Sequence, residues 1–265
     1  NADDHEYPSV VMFLTDDCLF LESLEVVLAH AIGSLQYNKQ NGRVFNFVTR
    51  LHPGISRSQT RDCITPSPKN WQYHSLVPYL SNVFAYEHAS AKLHDGIYLY
   101  KTKSSSVEWN YPFDLSGGVY CYDDVQMILK QILTEDEGCT DKDGLAHPNT
   151  FEIRGNQALL ALDNVIASRK TLSAVPSRPL MVILAVNRVQ DICQAPIAYT
   201  GEGRVTNSVV PNDINGVDPA NPMALLQFLQ DEQHLDVTKY QSIAYNSSHV
   251  GDLFLLAQPI PPLSS

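Results

Sequence analysis

One stretch restricts the fold more than any other. The apolar run PLMVILAV, residues 179–186, passes straight into NRVQDICQAP, residues 187–196. A run of that kind must be enclosed by the rest of the chain, because apolar surface left in water costs about 25 cal/mol per Å². Its pattern predicts a buried helix with polar side chains on the last turn, stopped by Pro196. Asp191 and Gln194, three apart, then share one helical face. They either satisfy the open end of a buried helix or form part of an active site.

The flanking sequence supplies the enclosure. Residues 7–15, YPSVVMFLT, read as a buried strand. Phe20 to Leu35 reads as an amphipathic helix, with Leu21, Leu24, Val27, Leu28, Ala31 and Ile32 at helical spacing. RVFNFVTRL alternates as a strand does, and residues 53–70 form a loop dense in turn formers. YHSLVPYLSNVFAYEHA and GIYLYKT are further strand candidates. Tyr122 to Leu133 and Phe151 to Lys170 read as helices on either side of an acidic loop, with the apolar run as a third. Residues 211–222 are loop, PMALLQFLQDEQHL a helix, and KYQSIAYNSS and DLFLLAQPI closing strands. Strands first, helices next and a small mixed region last argue for α+β. The expected layout is a single domain, 1–265, strand-rich over roughly 1–115, helical over 116–205, with a small C-terminal lobe at 206–265.

Charge and cysteine usage narrow the function. A net charge of −11 makes non-specific nucleic-acid binding unfavourable. Arg43, Arg50, Arg57 and Arg61 are the candidates for a local basic cleft, against a reading as scattered surface charge. The five cysteines show no C-x-x-C spacing, which argues against zinc, and an odd count leaves a thiol free or paired with another chain. Asn246-Ser247-Ser248 is a glycosylation sequon and fits a secreted glycoprotein. A start at Asn1 is what a processed mature chain would show. No apolar stretch approaches the roughly 20 residues of a membrane span.

The segments, taken in order, resemble the plant ribosome-inactivating proteins of the ricin A-chain type. YPSVVMFLT with the helix after it resembles that family's opening, and NVFAYEHA with GIYLYK its central strands. FDLSGGVYCYDDVQMIL resembles its Gly-Gly-x-Tyr segment, IRGNQALLALDNVI its Leu-Gly-x-x-x-Leu helix, and SRPLMVILAVNRVQDICQ its catalytic helix. AQPIPPLSS resembles its proline-rich tail. The resemblance covers nearly the whole chain and implies an α+β fold of that type. It also implies an rRNA N-glycosylase that removes one adenine from large-subunit ribosomal RNA, a plant defence toxin, secreted or vacuolar, needing no cofactor.

That chemistry asks for two stacking tyrosines, an arginine at the leaving base, and a glutamate that stabilises the ribosyl cation and orients water. By resemblance the glutamate falls on Asp191, one methylene short, and the arginine on Gln194, which carries no charge. A misplacement of about 1 Å costs up to a hundredfold in rate, and losing a charged donor costs on the order of 3–4 kcal/mol. Arg188, one turn earlier, is the substitute cation; Glu202 and Arg204 are other nearby charges. The first stacking position falls on Phe84, or on Tyr86 with a different gap, and the second on Tyr120 or Tyr122. The family's tryptophan falls near Pro222, whereas the tryptophans here are Trp71 and Trp109. The altered pair implies weak or lost activity, or a non-enzymatic storage or defence homologue. The tail after Cys193 holds no cysteine for the usual bridge to a lectin partner chain, so such a bridge would fall to Cys139 or another cysteine.

Other constellations are weaker. Glu135-Asp136-Glu137 matches the Glu-x-Glu of ADP-ribosyltransferases, a pattern common by chance in acidic loops. His88, His94 and His147 show no ligand spacing, and Cys139 with His147 read as surface residues. Ser116 to Gly118 reads as a turn, since no Lys-Ser/Thr follows to make a phosphate loop.

Overall fold

The computed structural model describes residues 9–15, 17–41, 44–58, 61, 63–75, 96–136, 147–161, 172–184, 208–209, 216–217, 235–245, 247–250 and 254–255. A six-stranded mixed sheet organises them. Its strands are β1 (Val10–Met12), β3 (Val44–Val48), β6 (Gln72–His74), β7 (Ile97–Lys101), β8 (Gly118–Cys121) and β9 (Leu172–Pro176), in the order β1-β8-β3-β9-β7-β6. The β3–β9 pair is parallel and every other pair in this sheet antiparallel. It follows that β1, β3, β9 and β6 share one direction, and their carboxyl ends one edge.

Helix α1 (Leu24–Asn41) covers one face. Val27, Ala31 and Leu35 pack on Phe47, Ile97, Leu99, Val119 and Ala174. The helix begins at Leu24 rather than Phe20 for two reasons. Ser23 receives the Val27 amide on its carbonyl and the Val26 amide on its hydroxyl, as a cap does. The preceding residues are taken as a strand, β2 (Cys18–Phe20). The other face is covered in two parts. Helices α2 (Tyr122–Asp136) and α3 (Pro148–Ala161) pack Val125, Ile128, Ile132 and Ala158 on Phe45 and Tyr120. Beside them Trp109, from a 3-10 turn at Val107–Asn110, packs on Val48, Leu51, Ile55, Tyr100 and Val175.

The apolar run departs from its predicted form. Met181–Leu184 is a strand, β10, with all four residues buried. It pairs antiparallel with β2 and parallel with β14 (His249–Val250) in a second, three-stranded sheet. A run apolar on every side suits a strand buried on both faces as well as a buried helix, and periodicity does not separate them. Here the β-branched Val182 and Ile183, together with partners from both ends of the chain, decide for the strand. With β9 just before it, this places two strands inside the stretch expected to be helical.

Two smaller corrections have local causes. KYQSIAYNSS opens as a short helix, α4 (Val237–Gln241), because the Asp236 carboxylate accepts from the Thr238 and Lys239 amides and caps it; only Ala244–Tyr245 is strand. The turn-rich loop at 53–70 holds a small hairpin, β4 (Arg57–Ser58) with β5 (Cys63–Ile64). Short two-residue ladders, β11 (Ser208–Val209) with β13 (Ala244–Tyr245) and β12 (Gly216–Val217) with β15 (Phe254–Leu255), complete the described part. A mixed sheet with helices on both faces is α+β in the general sense. Among the described residues no helix is long and apolar enough to cross a membrane.

Candidate functional site

In open sheets ligands tend to bind outside the carboxyl ends of strands, and two turns meet at that edge here. The first leaves β1. Its Thr15 carbonyl accepts from the Cys18 amide at 3.3 Å, and the Thr15 hydroxyl lies 3.2 Å from the Cys18 sulfur. The second enters β8. Gly117 has φ +91°, and its amide donates to the Phe13 carbonyl at 2.9 Å while its carbonyl accepts from the Thr49 hydroxyl at 2.9 Å. The turns touch where the Thr15 hydroxyl donates to the Ser116 hydroxyl at 3.4 Å. Thr15, Asp17, Cys18 and Ser116 are half-buried. The Asp17 Oδ1 atom is shielded from solvent and has no hydrogen-bond partner. A buried acceptor left unpaired costs about 1–3 kcal/mol, so such atoms mark places where a ligand donor would be welcome. Burial pushes the Cys18 thiol up, which leaves it a thiol rather than a nucleophilic thiolate.

Beneath the turns lies a buried charged cluster centred on Arg50, at the end of β3. Its guanidinium donates to Asp114 Oδ2 from Nε at 2.7 Å and pairs with it again through Nη2 at 2.7 Å. Nη1 donates to Glu108 Oε2 at 3.2 Å and to the Ser248 hydroxyl at 2.5 Å. Glu108 Oε1 accepts from the Ser58 hydroxyl at 2.5 Å. Burial opposes the Arg50 charge, but Asp114 and Glu108 outweigh it and hold the guanidinium protonated. Burial likewise opposes ionised Glu108, and Arg50 outweighs it, so that carboxyl sits below its ordinary range. His249, beside them, is pushed down to about 4, by burial first and by Arg50 second. His52 is also pushed down to about 4, by burial.

Glu152 on α3 behaves in the opposite way. Burial, then the Asp114 charge, raises it to about 7. Its oxygens accept from the Leu115 amide at 2.8 Å and the Tyr111 hydroxyl at 3.1 Å. The signs of the resulting pH dependence therefore differ. His52 and His249 bind fewer protons folded than unfolded between about pH 4 and 6.5, so their contribution to stability grows with pH there. Glu152 binds more protons folded between 4.5 and about 7, so its contribution is lost as pH rises through that window. Glu152→Gln, which copies the protonated shape, should match wild type near pH 4.5. It should exceed wild type by on the order of 2 kcal/mol at pH 8, after trimming for partial exposure. Urea titrations at both pH values check this, and an equal gap at each would refute it.

The sequence-derived site residues fare unevenly. Phe84, Tyr86, Arg188, Asp191, Gln194 and Asn246 lie outside the described residues, as do Arg43, Cys139, Glu202, Arg204 and Pro222. Tyr120 is 0% exposed, its ring among Phe13, Phe45 and Phe113 and its hydroxyl donating to the Asp114 carbonyl at 2.9 Å, so it presents no free face to a base. Tyr122, at the start of α2, is 48% exposed. Arg50 is consumed by carboxylates rather than offered to a basic cleft. Ser248 of the sequon is buried against Arg50. Trp71 and Trp109 pack edge to face at 5.2 Å. Cys18 and Cys63 are thiols outside any disulfide. Among the described residues no group of three His, Cys, Asp or Glu side chains is placed to hold a metal.

Asp17, Glu108, Asp114 and His249 escaped the reading of the sequence, and Ser248 was read only as part of a sequon. Arg50 meets its partners across 58, 64 and 198 residues of chain, a separation that leaves no local pattern. The available signal was the Asp16-Asp17 pair just after the strand read at residues 7–15.

Comparison with known proteins gives one informative likeness. No protein-family profile matches the chain, and no solved structure matches it. It is similar to the bifunctional glycosyltransferase pgtA of Dictyostelium discoideum, with 26% identity over 152 residues. That alignment takes in 56% of this chain and 17% of the relative, so the chain spans only a small part of that protein's length.

Proposed function

We propose that this chain transfers a sugar from an activated donor to an acceptor hydroxyl, with the donor lying across the two turns at the carboxyl edge. The likeness to a glycosyltransferase supports the reaction class. The observation that carries the site is the shielded, unpartnered Asp17 Oδ1, two residues on from Thr15, whose hydroxyl meets that of Ser116. In such a transfer the acceptor oxygen attacks the anomeric carbon, and the bond from that carbon to the leaving group breaks. The leaving group keeps the electron pair, and a carboxylate takes the acceptor proton. Among the described residues, Asp17 is the carboxylate with a shielded, unpartnered oxygen. The test is a panel of uridine- and guanosine-diphosphate sugars, read by release of the nucleoside diphosphate. Wild type should turn over at least one donor. Asp17→Asn, nearly isosteric but without basicity, should lower kcat by roughly 10²–10⁴-fold. No turnover of any donor, or an unaffected Asp17→Asn variant, defeats the reading.

A second reading is adenine removal from ribosomal RNA. It rests on the order of the resembling segments and on the exposed ring of Tyr122. Met181–Leu184 is a strand where this reading expects the start of a helix, and Tyr120 is enclosed, which leaves Tyr122 as the second stacking ring. The secreted or vacuolar destination and the defence role belong to this reading. Adenine release from intact ribosomes decides it, and silence in both assays leaves a non-catalytic storage or defence protein.

A further inference from the structure

We infer that Arg50 is a positioning residue that holds the two turns of the carboxyl edge in one register; the inference rests on the sugar-transfer reading only for its kinetic consequence. One arm of the guanidinium fixes the second turn, since Asp114 takes Arg50 on Oδ2 and the Ser116 amide on Oδ1 at 2.8 Å. Another arm fixes the first turn through the smaller sheet. The Ser248 hydroxyl accepts from Arg50, and the Ser248 carbonyl accepts from the Ile183 amide at 3.0 Å. Strand β10, which carries Ile183, pairs with β2, and the Leu184 amide donates to the Asp17 carbonyl at 2.8 Å. Asp17 thus leads into β2 and is held by β10 of the smaller sheet, Ser116 leads into β8 of the larger one, and Arg50 joins the supports of both.

A guanidinium suits this task, because its planar fork offers five donors in fixed directions. The Nη1 atom that reaches Ser248 also donates to Glu108, whose backbone approach is held at a cost. Glu108 follows Val107, which has φ +55°. A β-branched residue in that region is strained and persists only where its surroundings impose it.

Ser248→Ala removes one arm and leaves the ion pairs intact, so the variant is expected to fold. Amide hydrogen exchange should then quicken about tenfold at Leu184 and also at Ser116, which does not touch Ser248. In the donor assay the KM of the best donor should rise about tenfold with kcat within about threefold. A mere loss of folded protein would lower apparent kcat and leave KM alone. Faster exchange confined to Ile183 and residues 247–250 would overturn the inference, as would unchanged exchange. If wild type turns over no donor, the transfer reading falls, while the exchange at Ser116 still decides whether Arg50 couples the turns.

Discussion

Arg50→Met should destabilise the protein by about 3–5 kcal/mol in urea denaturation, more than any other single charge removal among the described residues. The cause is the charge left behind. Asp114 is more enclosed than Arg50 and Glu108 somewhat less, with side chains 3%, 5% and 10% exposed respectively. Losing one partner of a buried pair leaves a desolvated charge uncompensated, and that accounts for the figure. It does not imply that the intact cluster stabilises the fold relative to a well-packed apolar one, because desolvation offsets most of the attraction. Methionine fills much of the volume, so a cavity contributes little. Adding Glu108→Gln to Arg50→Met should recover part of the loss, since one of the two stranded charges is gone. A double variant as unstable as the sum of the singles would show that the charges act independently.

Gly117→Ala should cost about 2–4 kcal/mol in the same measurement. Two effects add. At φ +91° the backbone sits where side-chain-bearing residues are strained and glycine is not. A Cβ there would also come within 2.4 Å of both the Met181 Cε and the Thr49 hydroxyl. The methionine tip can swing away; the threonine is held by its bond to the Gly117 carbonyl. Overpacking of this sort costs about 1–3 kcal/mol by itself. Because Gly117 adjoins Ser116, the same change should disturb the proposed donor site. An alanine variant as stable as wild type would mean that the turn relaxes freely, and the edge would then be too soft to position a donor.

The sequence determined the elements whose signals are local. The strands at Val10–Met12, Val44–Val48 and Ile97–Lys101, the helices from Tyr122 and Pro148, and the turn at Ser116–Gly118 all follow from side-chain period, β-branching and glycine placement. It also determined that residues 179–184 must be buried. What it left open was the form of that burial. A continuous apolar run satisfies a helix and a doubly covered strand equally, and the strand prevailed because β2 and β14 lie against it, from 163 residues before and 66 residues after in the pairings Val182 with Leu19 and Ile183 with His249. The charged cluster was likewise beyond the sequence. Its members are ordinary residues in ordinary local settings, and only folding brings Arg50 to Asp114, Glu108 and Ser248. Local chemistry writes secondary structure into the chain, whereas enclosing a charge or pairing a strand depends on long-range neighbours that only the folded chain supplies.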